Sequence, residues 1–395
     1  MNFFFTSFFT LIISSTLLGQ IRITGKILTK KDSLPISYAN IRLDKSSIGT
    51  SSNSDGEFQL TIPNNSSIRK LKSSHINFTE STFVLKKNIQ DSLFLTLFMT
   101  EDTMKLEEFI VSSKSAYQLL KKSYSDFNKK SYIQSPFTCQ AYYKEIITQD
   151  DKSVRYSDAI LDIFIPSLFK QNKISKKEDY RRKIKVLSHR TSKDLSDSLF
   201  DIMESPYNIL NNAKINLIRL DSSRFNYTIN KIRNKQYYIN ITQKKKKYPL
   251  YKAEIVLDIK TLVIKHIIFY IPDDFLEKNK PLFLKDNKFS TSQLSSFFCK
   301  IDITQIDSLY VISNIHNHQK TILYNKEFDY SITVTRNSYL LVNSIYPIEK
   351  KIKKVLKRGQ YLHKMNQKKG SNWVNYNIIK ETEKDKKIKS ELGLQ

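Results

Sequence analysis

The six histidines are the residues around which a metal site would have to form. A zinc hydrolase needs His and Glu ligands at helical or turn spacing, together with a Glu that acts as general base. No histidine of this chain is followed by Glu three residues later. His316 and His318 would share one face of a strand, but no third ligand is marked near them. The spacing therefore predicts no metal site, and it predicts two polar residues on a solvated strand.

The chain also lacks the patterns of nucleophilic and phosphate chemistry. It has no G-x-S-x-G, no P-loop and no dinucleotide fingerprint, and it contains seven glycines in all. Cys139 lies in an apolar alternation without a neighbouring base. Carboxylates are plentiful, but none is marked as a glycosidase pair. We predict no catalytic residue and no cofactor, and a hydrolase with an unmarked site is the least favoured alternative.

The two cysteines, Cys139 and Cys299, each lie on an apolar strand face. In an exported protein two cysteines can pair. Two separate buried thiols and one disulfide both remain open, and the apolar neighbours favour the thiols.

Positive charge is the strongest feature of the composition. The chain has 65 Lys and Arg against 38 Asp and Glu, a net charge of +27, which favours an anionic partner such as nucleic acid or an acidic membrane surface. A lysine-rich genome would give the same composition without any partner. The run Lys244 to Lys247 lies between two predicted strands and is interpreted as a solvated loop.

The segment Ile348 to Lys364 combines this charge with amphipathic spacing. Its apolar residues fall on one helical face. The opposite face carries Lys350, Lys353, Lys354 and Lys357. Such a helix can lie on anionic lipid, and a helix docked on its own sheet has the same pattern. Residues 346–395 are predicted to be a basic helical C-terminal segment.

The first residues determine the predicted compartment. Phe3 to Leu18 is an uncharged apolar run that ends in Gly19-Gln20, which is typical of a signal-peptide core and short for a membrane span. We predict that residues 1–19 are a signal peptide, with retention as an anchor as the alternative. The protein is then exported, and is periplasmic or associated with the outer membrane. Export argues against nucleic acid and leaves an anionic membrane surface as the partner that the charge favours.

Residues 20–112 show short alternating strands with turn signals between them, which is typical of a β-sandwich. Asp55-Gly56 is a hairpin signal, because glycine takes a positive φ without steric cost. The order and spacing of several short motifs resemble the carboxypeptidase regulatory-like domain. These motifs are Gly25, Leu34-Pro35, Ala39-Asn40-Ile41, Gly49-Thr50, Asp55 to Leu60 and the closing Leu106 to Val111. The resemblance implies a prealbumin-like, Ig-type sandwich without catalytic residues of its own.

The remainder of the chain is predicted to contain a helix and connection over residues 113–136. An antiparallel β-rich domain over residues 137–345 follows. Helical spacing places Ala116, Leu120, Tyr124 and Phe127 on one face. Strands resume at Phe137. The segments around Ala141 to Glu145, Tyr251 to Asp258 and Trp373 to Asn377 resemble the region that follows the sandwich in exported Bacteroidetes proteins of this kind.

Together these patterns predict a mainly β protein: an N-terminal prealbumin-like sandwich followed by a larger α+β domain whose antiparallel sheet could form a half-barrel. The leading functional hypothesis is a non-enzymatic exported protein of the cell envelope, in which the sandwich contacts envelope proteins or glycans. The alternative hypothesis is a carrier or sensor of an apolar or acyl ligand that uses the curved sheet of residues 137–340, by analogy of fold alone.

Overall fold

The structure is a computed structural model of the chain. It describes residues 20–63, 66, 70–85, 92–101, 113–130, 137–165, 183–200, 206, 209, 222–233, 235–244, 252–286, 288–306, 309–347, 355–356, 360–365, 373 and 376–394. The predicted signal peptide, the predicted closing strand Leu106 to Val111 and three of the four lysines Lys244 to Lys247 lie outside these residues. Within the described residues, no helix is both long and apolar enough to cross a membrane.

Strands dominate the chain, as the alternating patterns predict. Those of the N-terminal body are β1 (Gln20–Thr29), β2 (Asn40–Leu43), β3 (Gly49–Ser51), β4 (Glu57–Pro63), β5 (Lys70–Ser74), β6 (Ser81–Val84) and β7 (Ser92–Met99). Those that follow are β8 (Phe137–Gln149), β9 (Lys152–Ile165), β10 (Lys183–Thr191), β11 (Phe225–Arg233), β12 (Gln236–Gln243), β13 (Lys252–Asp258), β14 (Ile264–Ile271), β15 (Leu284–Asp286), β16 (Ser290–Ile306), β17 (Leu309–Asn325) and β18 (Tyr330–Pro347). The α-helices are α1 (Ser113–Lys130), α2 (Asp273–Lys278) and α3 (Glu383–Glu391), and short 3-10 turns occur at Lys280–Phe283 and Leu362–Lys364.

The N-terminal body is a small β-sandwich, as predicted. One sheet has the order β4-β1-β7 and the other β3-β2-β5-β6. Alternate residues of these strands point inward and form one apolar core, which includes Ile23, Ile41, Phe58 and Leu71. At Gly25 a Cβ atom would lie 1.9 Å from the carbonyl oxygen of Leu95, so the parallel contact between β1 and β7 requires glycine there.

The Asp55-Gly56 signal marks a turn, but the hairpin expectation is wrong. Gly56 has φ of 70°, and the Asn53 side chain accepts hydrogen bonds from the backbone N–H groups of Asp55 and Glu57, each at 2.9 Å. The turn joins β3 of one sheet to β4 of the other. It is therefore a corner between the two layers of the sandwich.

The second body is one large antiparallel sheet that does not close into a barrel. Its strands have the order β10-β9-β8-β18-β17-β16-β14-β13-β12-β11, with β15 beside β16. We call the face that carries Ala141 and Tyr143 the helix face, because Ala116 and Leu120 of α1 belong to the same apolar core. The opposite face, which carries Tyr142 and Lys144, is called the sandwich face. Mainly β architecture with an open antiparallel sheet confirms the predicted fold class.

The continuous basic helix predicted over Ile348 to Lys364 is wrong: within its described residues, only Leu362–Lys364 is helical, as one short 3-10 turn. Val355 and Leu356 are not helical, and Leu356 donates its backbone N–H to the carbonyl oxygen of Ile184 at 2.6 Å. The side chain of Leu356 is buried in the core of the helix face. An exposed edge strand offers unpaired backbone groups, so β10 holds this part of the chain in a non-helical conformation. Lys350, Lys353, Lys354 and Lys357 lie outside the described residues.

Residues 376–394, which we call the C-terminal segment, bind both bodies. The Asn377 side chain accepts a hydrogen bond from the backbone N–H of Thr61 at 2.6 Å and donates one to its carbonyl at 3.3 Å. Further along, Ile388 and Leu392 pack against Tyr156 on the sandwich face. The segment therefore links β4 of the sandwich to β9 of the large sheet.

Candidate functional site: a polar cleft between the two bodies

A cleft of about 410 Å³ opens where the sandwich meets the large sheet. Its wall on the sandwich side is formed by Asn40, Arg42, Asp44, Lys45, Lys72, Ser74, His75, Phe78 and Glu80. Its wall on the large sheet is formed by Gln236, Lys265, His266, Ile303 and Thr304. Most of these side chains are polar or charged, and both bodies contribute, so the cleft exists only when they are packed together.

Strand alternation places the polar side chains of the sandwich in this cleft. On β2, Ile41 and Leu43 point into the sandwich core, and Asn40 and Arg42 therefore point outward to the large sheet. All four are buried, because the large sheet covers the outer face of the strand. The Nδ2 group of Asn40 donates to the Ser313 hydroxyl at 3.4 Å.

On the large sheet, the floor of the site is a network centred on Asp302. This carboxylate accepts a hydrogen bond from His266 Nδ1 at 2.7 Å, and the Lys300 ammonium lies 3.7 Å away. The Asn314 amide lies 3.4 Å from its other oxygen. Burial alone would raise the pKa of Asp302, but Lys300 and His266 outweigh burial and hold this pKa far below its usual value. Asp302 is therefore an ionised carboxylate whose two oxygens face His266, Lys300 and Asn314.

Among the described arginines that are buried or half-buried, Arg42 differs from the others because no described carboxylate lies within ion-pair distance of it. Arg155 lies 2.9 Å from Asp194, Arg190 pairs with Asp158, and Arg336 lies 3.4 Å from Glu145. Arg42 is 7% exposed, and its Nη1 donates to the backbone carbonyls of Ser46 and Ser47 at 3.3 and 2.9 Å. Its Nε and Nη2 groups are buried with no hydrogen-bond partner among the described residues. Burial lowers the pKa of Arg42 to about 10, and attraction to Asp302 offsets only part of this effect.

Two histidines are held neutral at the junction. Burial lowers the pKa of His75 to about 3, and the nearby Lys300 charge adds to the effect. The same two causes lower the pKa of His316 to about 3. His316 stacks on Tyr339 with ring centroids 4.4 Å apart, and it contacts Tyr38 of the sandwich at 4.8 Å. The expectation that His316 lies on a solvated strand is therefore wrong, because the sandwich covers this part of β17.

The remaining sequence-based expectations fall elsewhere. Asp55 and Gly56 lie in the corner turn of the sandwich and do not line the cleft. Cys139 and Cys299 are free and buried on the helix face, so the thiol alternative holds and the disulfide alternative is wrong. Burial raises the pKa of Cys139 to about 12. Among the described residues, no group of three or more His, Cys, Asp or Glu is placed to hold a metal ion.

Sequence reasoning missed Arg42, His75, His266 and Asp302 as site residues. Each lies in or next to a strand in which periodicity identifies only the apolar, core-facing residues. The signal that could have found them is a cluster of polar residues on outward positions of β2, β14 and β16. Three of these outward positions are charged, Arg42 and Lys300 positively and Asp302 negatively. A solvated strand does not require charges of both signs there.

A second hollow, of about 360 Å³, lies on the helix face. Its apolar lining is Ile209, Leu294 and Phe297, and its polar lining is Lys285, Asn317, Gln319, Arg336 and Ser338. The volume is large enough for a small ligand. The lining is more polar than a carrier of acyl chains requires.

The fold and the cleft define a two-body β protein with a polar site at the junction. Residues 23–111 match the family model described as the CarboxypepD_reg-like domain. The N-terminal sandwich thus carries the regulatory-like domain that the motif order predicts. The match covers the sandwich and leaves the large sheet outside it.

Three solved structures share a distant likeness with the chain. A putative outer membrane lipoprotein-sorting protein domain from Vibrio parahaemolyticus is 10% identical, with 60% of this chain and 94% of that chain covered and a TM-score of 0.25. A LolA superfamily protein from Nitrosomonas europaea is 10% identical, with 58% of this chain and 94% of that chain covered and a TM-score of 0.22. A chain of the MucA/MucB complex of Pseudomonas aeruginosa is 10% identical, with 59% of this chain and 99% of that chain covered and a TM-score of 0.16. TM-scores of this size assign neither fold nor function. No curated protein matches the chain.

Proposed function

We propose that the protein is a non-enzymatic binding protein of the cell envelope, in which the sandwich acts as an interaction module held against the large sheet. The observation that carries the proposal is the cleft itself, whose polar walls come from both bodies. A structural junction would favour apolar contacts or fully paired charges. This junction instead leaves an open, polar space of the size that small ligands or the side chains of a partner occupy.

The ligand proposed for the cleft is a protein or a glycan. Asn40, Ser74, Gln236 and Thr304 offer hydroxyl and amide groups to polar ligands, and the Phe78 ring lies beside His75 at 5.3 Å. Sites that bind sugar rings or peptide backbones combine polar side chains, which form hydrogen bonds, with an aromatic ring, which packs against the ligand.

A photo-crosslinking residue in place of Lys265, on the rim of the cleft, tests this proposal. The control is the same residue in place of Lys320, which is exposed on the same face of the sheet and does not line the cleft. After irradiation of the native envelope, mass spectrometry should find an adduct at position 265 and none at position 320. No adduct at position 265, or the same adduct at both positions, would contradict the proposal.

The second candidate function is a carrier or sensor of an apolar ligand. The hollow beside Leu294 and Phe297 favours it by volume. Phe297→Asp should abolish retention of an acyl probe if this hollow binds acyl chains, and it should leave the adduct at position 265 in place. Retention of the probe by the Phe297→Asp variant would exclude the carrier function at this hollow.

Export completes the proposal. The apolar run Phe3 to Leu18 supports a cleaved signal peptide and a periplasmic or outer-membrane-associated location. Sequencing of the mature protein should then begin near Gln20 or Ile21. Intact Met1 in a cytoplasmic fraction would contradict export and would make nucleic acid a candidate partner again.

We also propose an anionic membrane surface as a partner, supported by the net charge of +27 and by the lysine-rich stretch after β18. The purified protein should bind anionic vesicles at low salt and release them by a few hundred millimolar salt, since the Debye length is about 10 Å at 0.1 M. Changing Lys350, Lys353, Lys354 and Lys357 to Gln should abolish binding without lowering thermal stability. Equal binding by this variant would exclude these lysines as the lipid contact.

A further inference from the structure

The buried guanidinium of Arg42 has no negative partner in the part of the chain that the structure describes. Every other arginine that is buried or half-buried there lies beside a carboxylate. A buried cation that lacks a counterion is costly, because it loses its hydration without a compensating charge. A protein keeps such a group where a ligand supplies the missing charge, as functional sites often do.

Asp302 attracts Arg42 but offsets only part of the effect of its burial and forms no ion pair with it. Its two oxygens already accept from His266 and lie within reach of Lys300 and Asn314. The Asp302 charge is thus shared among donors of the large sheet. Arg42 has no carboxylate oxygen within 4.0 Å of its nitrogens among the described residues.

The surroundings of Arg42 suit an oxyanion. Arg42 lines the cleft together with Lys45, Lys265 and His75. The two carboxylates that also line it, Asp44 and Glu80, lie 3.1 and 3.8 Å from the Lys72 ammonium. The Nδ1 atom of His75 is buried without a hydrogen-bond partner among the described residues, and one nitrogen of a neutral imidazole can donate. The planar guanidinium fork, with Nε and Nη2 both unused, matches the two oxygens of a carboxylate or phosphate.

We propose that the cleft binds an oxyanion, a carboxylate or a phosphate group, through the Nε and Nη2 groups of Arg42, with Lys45 and Lys265 adding positive charge at the rim. The inference rests on the proposed binding function and names the chemical class of the ligand. The oxyanion can be free phosphate or the acidic group of a sugar, and the experiment separates these two sources.

The test measures the thermal stability and the calorimetric binding of the full chain at low salt with three probes: glucuronate, inorganic phosphate and glucose. An oxyanion site predicts that glucuronate or phosphate raises the melting temperature and that neutral glucose does not. If glucuronate binds more tightly than phosphate, the source is a sugar acid. The reverse order identifies free phosphate.

Arg42→Met should weaken binding of the better oxyanion by roughly tenfold or more, since a bidentate charged pair is lost. The same change should leave the melting temperature without ligand unchanged or raised, because it removes an uncompensated buried charge. The matched control is Arg155→Met, which removes a buried arginine that has a carboxylate partner. This control should lower the melting temperature and leave oxyanion binding in place.

Oxyanion binding of equal strength by the wild type and by Arg42→Met would overturn the inference, and so would binding of glucose as tight as that of glucuronate. An Arg42→Met variant that unfolds more easily than Arg155→Met would also overturn it, since Arg42 would then be a structural residue.

If no oxyanion binds while position 265 still forms a specific adduct in the envelope, the oxyanion inference fails and the proposed function stands. If an oxyanion binds through Arg42 but no envelope adduct forms at position 265, the inference stands and the proposed envelope partner fails.

Discussion

Asp385 of α3 lies 2.7 Å from the Nζ atom of Lys144, and both side chains are almost fully buried, at 7% and 6% exposure. The Asp385 carboxylate also accepts the backbone N–H of Thr382, and the Thr382 hydroxyl accepts the backbone N–H of Asp385, which completes a capping box at the start of α3. One carboxylate thus begins a helix and joins it to the middle of β8. This pair holds the C-terminal segment on the large sheet together with the packing of Ile388 and Leu392 against Tyr156.

The buried pair predicts a large cost when one partner is removed. Lys144→Met should lower the free energy of unfolding by about 3 kcal/mol, because Asp385 would stay buried without its partner. Adding Asp385→Asn should recover part of this loss, since the amide oxygen can still cap Thr382. The control is Lys386→Met, which removes an exposed pair with Glu383 and should lower the free energy of unfolding far less than Lys144→Met, because solvent screens exposed pairs. Denaturant unfolding measures all three variants, and equal losses in Lys144→Met and Lys386→Met would contradict the prediction.

The corner turn of the sandwich predicts a difference between two glycines. Gly56 and Gly393 both have positive φ. A Cβ at Gly56 would lie 2.7 Å from the carbonyl oxygen of Ile27, whereas the nearest atom to a Cβ at Gly393 is 3.6 Å away, on the flexible Lys193 side chain. Gly56→Val should therefore lower the free energy of unfolding by about 1 kcal/mol or more beyond the loss in Gly393→Val. Equal losses would show that backbone conformation alone sets the cost.

The neutral histidines predict how stability depends on pH. In the folded protein the pKa values of His75 and His316 are lowered to about 3, so the unfolded chain binds more protons below its ordinary histidine pKa of about 6.5. The contribution of these two neutral histidines to the free energy of unfolding is therefore fully present above a pH of about 6.5 and is lost as pH falls towards 3. Each histidine contributes a slope approaching about 1.4 kcal/mol per pH unit within that window.

The double variant His75→Phe/His316→Phe removes both titrations and keeps ring contacts with Phe78 and Tyr339. Its free energy of unfolding should change less than that of the wild type between pH 6.5 and 5, a range above most carboxylate titrations. Chemical denaturation at a series of pH values measures both slopes. Parallel curves for the two proteins would show that neither histidine is held neutral by burial.

The two cysteines predict a simple chemical result. Both thiols are free and buried, and burial raises the pKa of each. A thiolate is the reactive form, so native protein should not react with a thiol reagent at neutral pH, and denatured protein should expose two reactive thiols per chain. Mass spectrometry counts the labels. A native protein that labels at either cysteine would contradict the burial, and a denatured protein without free thiols would restore the disulfide.

Alternation predicted the strands because one face of each carries the apolar core. Strands are predicted to resume at Phe137, and β8 (Phe137–Gln149) begins there. β10 was missed, since its Ile184 and Val186 alternate with Lys and Ser and no turn residue bounds them clearly. The many Tyr- and Phe-bearing strands after one helix predict an antiparallel sheet that could form a half-barrel, and the sheet is antiparallel and open.

The cleft could not be predicted, because its residues are polar on outward positions. Arg42 on β2 and Asp302 on β16 are separated by 260 positions in the sequence. Neither periodicity nor a local motif shows that the sandwich covers the sheet at this place. Burial converts these side chains from ordinary surface residues into a charged site, and burial is a property of the packed pair of bodies. The same packing explains why His316 was wrongly placed in solvent.

The C-terminal segment has a consequence for the order of events during synthesis. The sandwich and the large sheet each have a core made of residues that precede position 366, whereas Asn377, Lys380 and Asp385, which fasten them together, are translated later. For as long as it takes to translate the intervening stretch, roughly one to four seconds at 5–20 residues per second, the two bodies are joined without this fastening. The C-terminal segment is therefore the last part of this junction to be made.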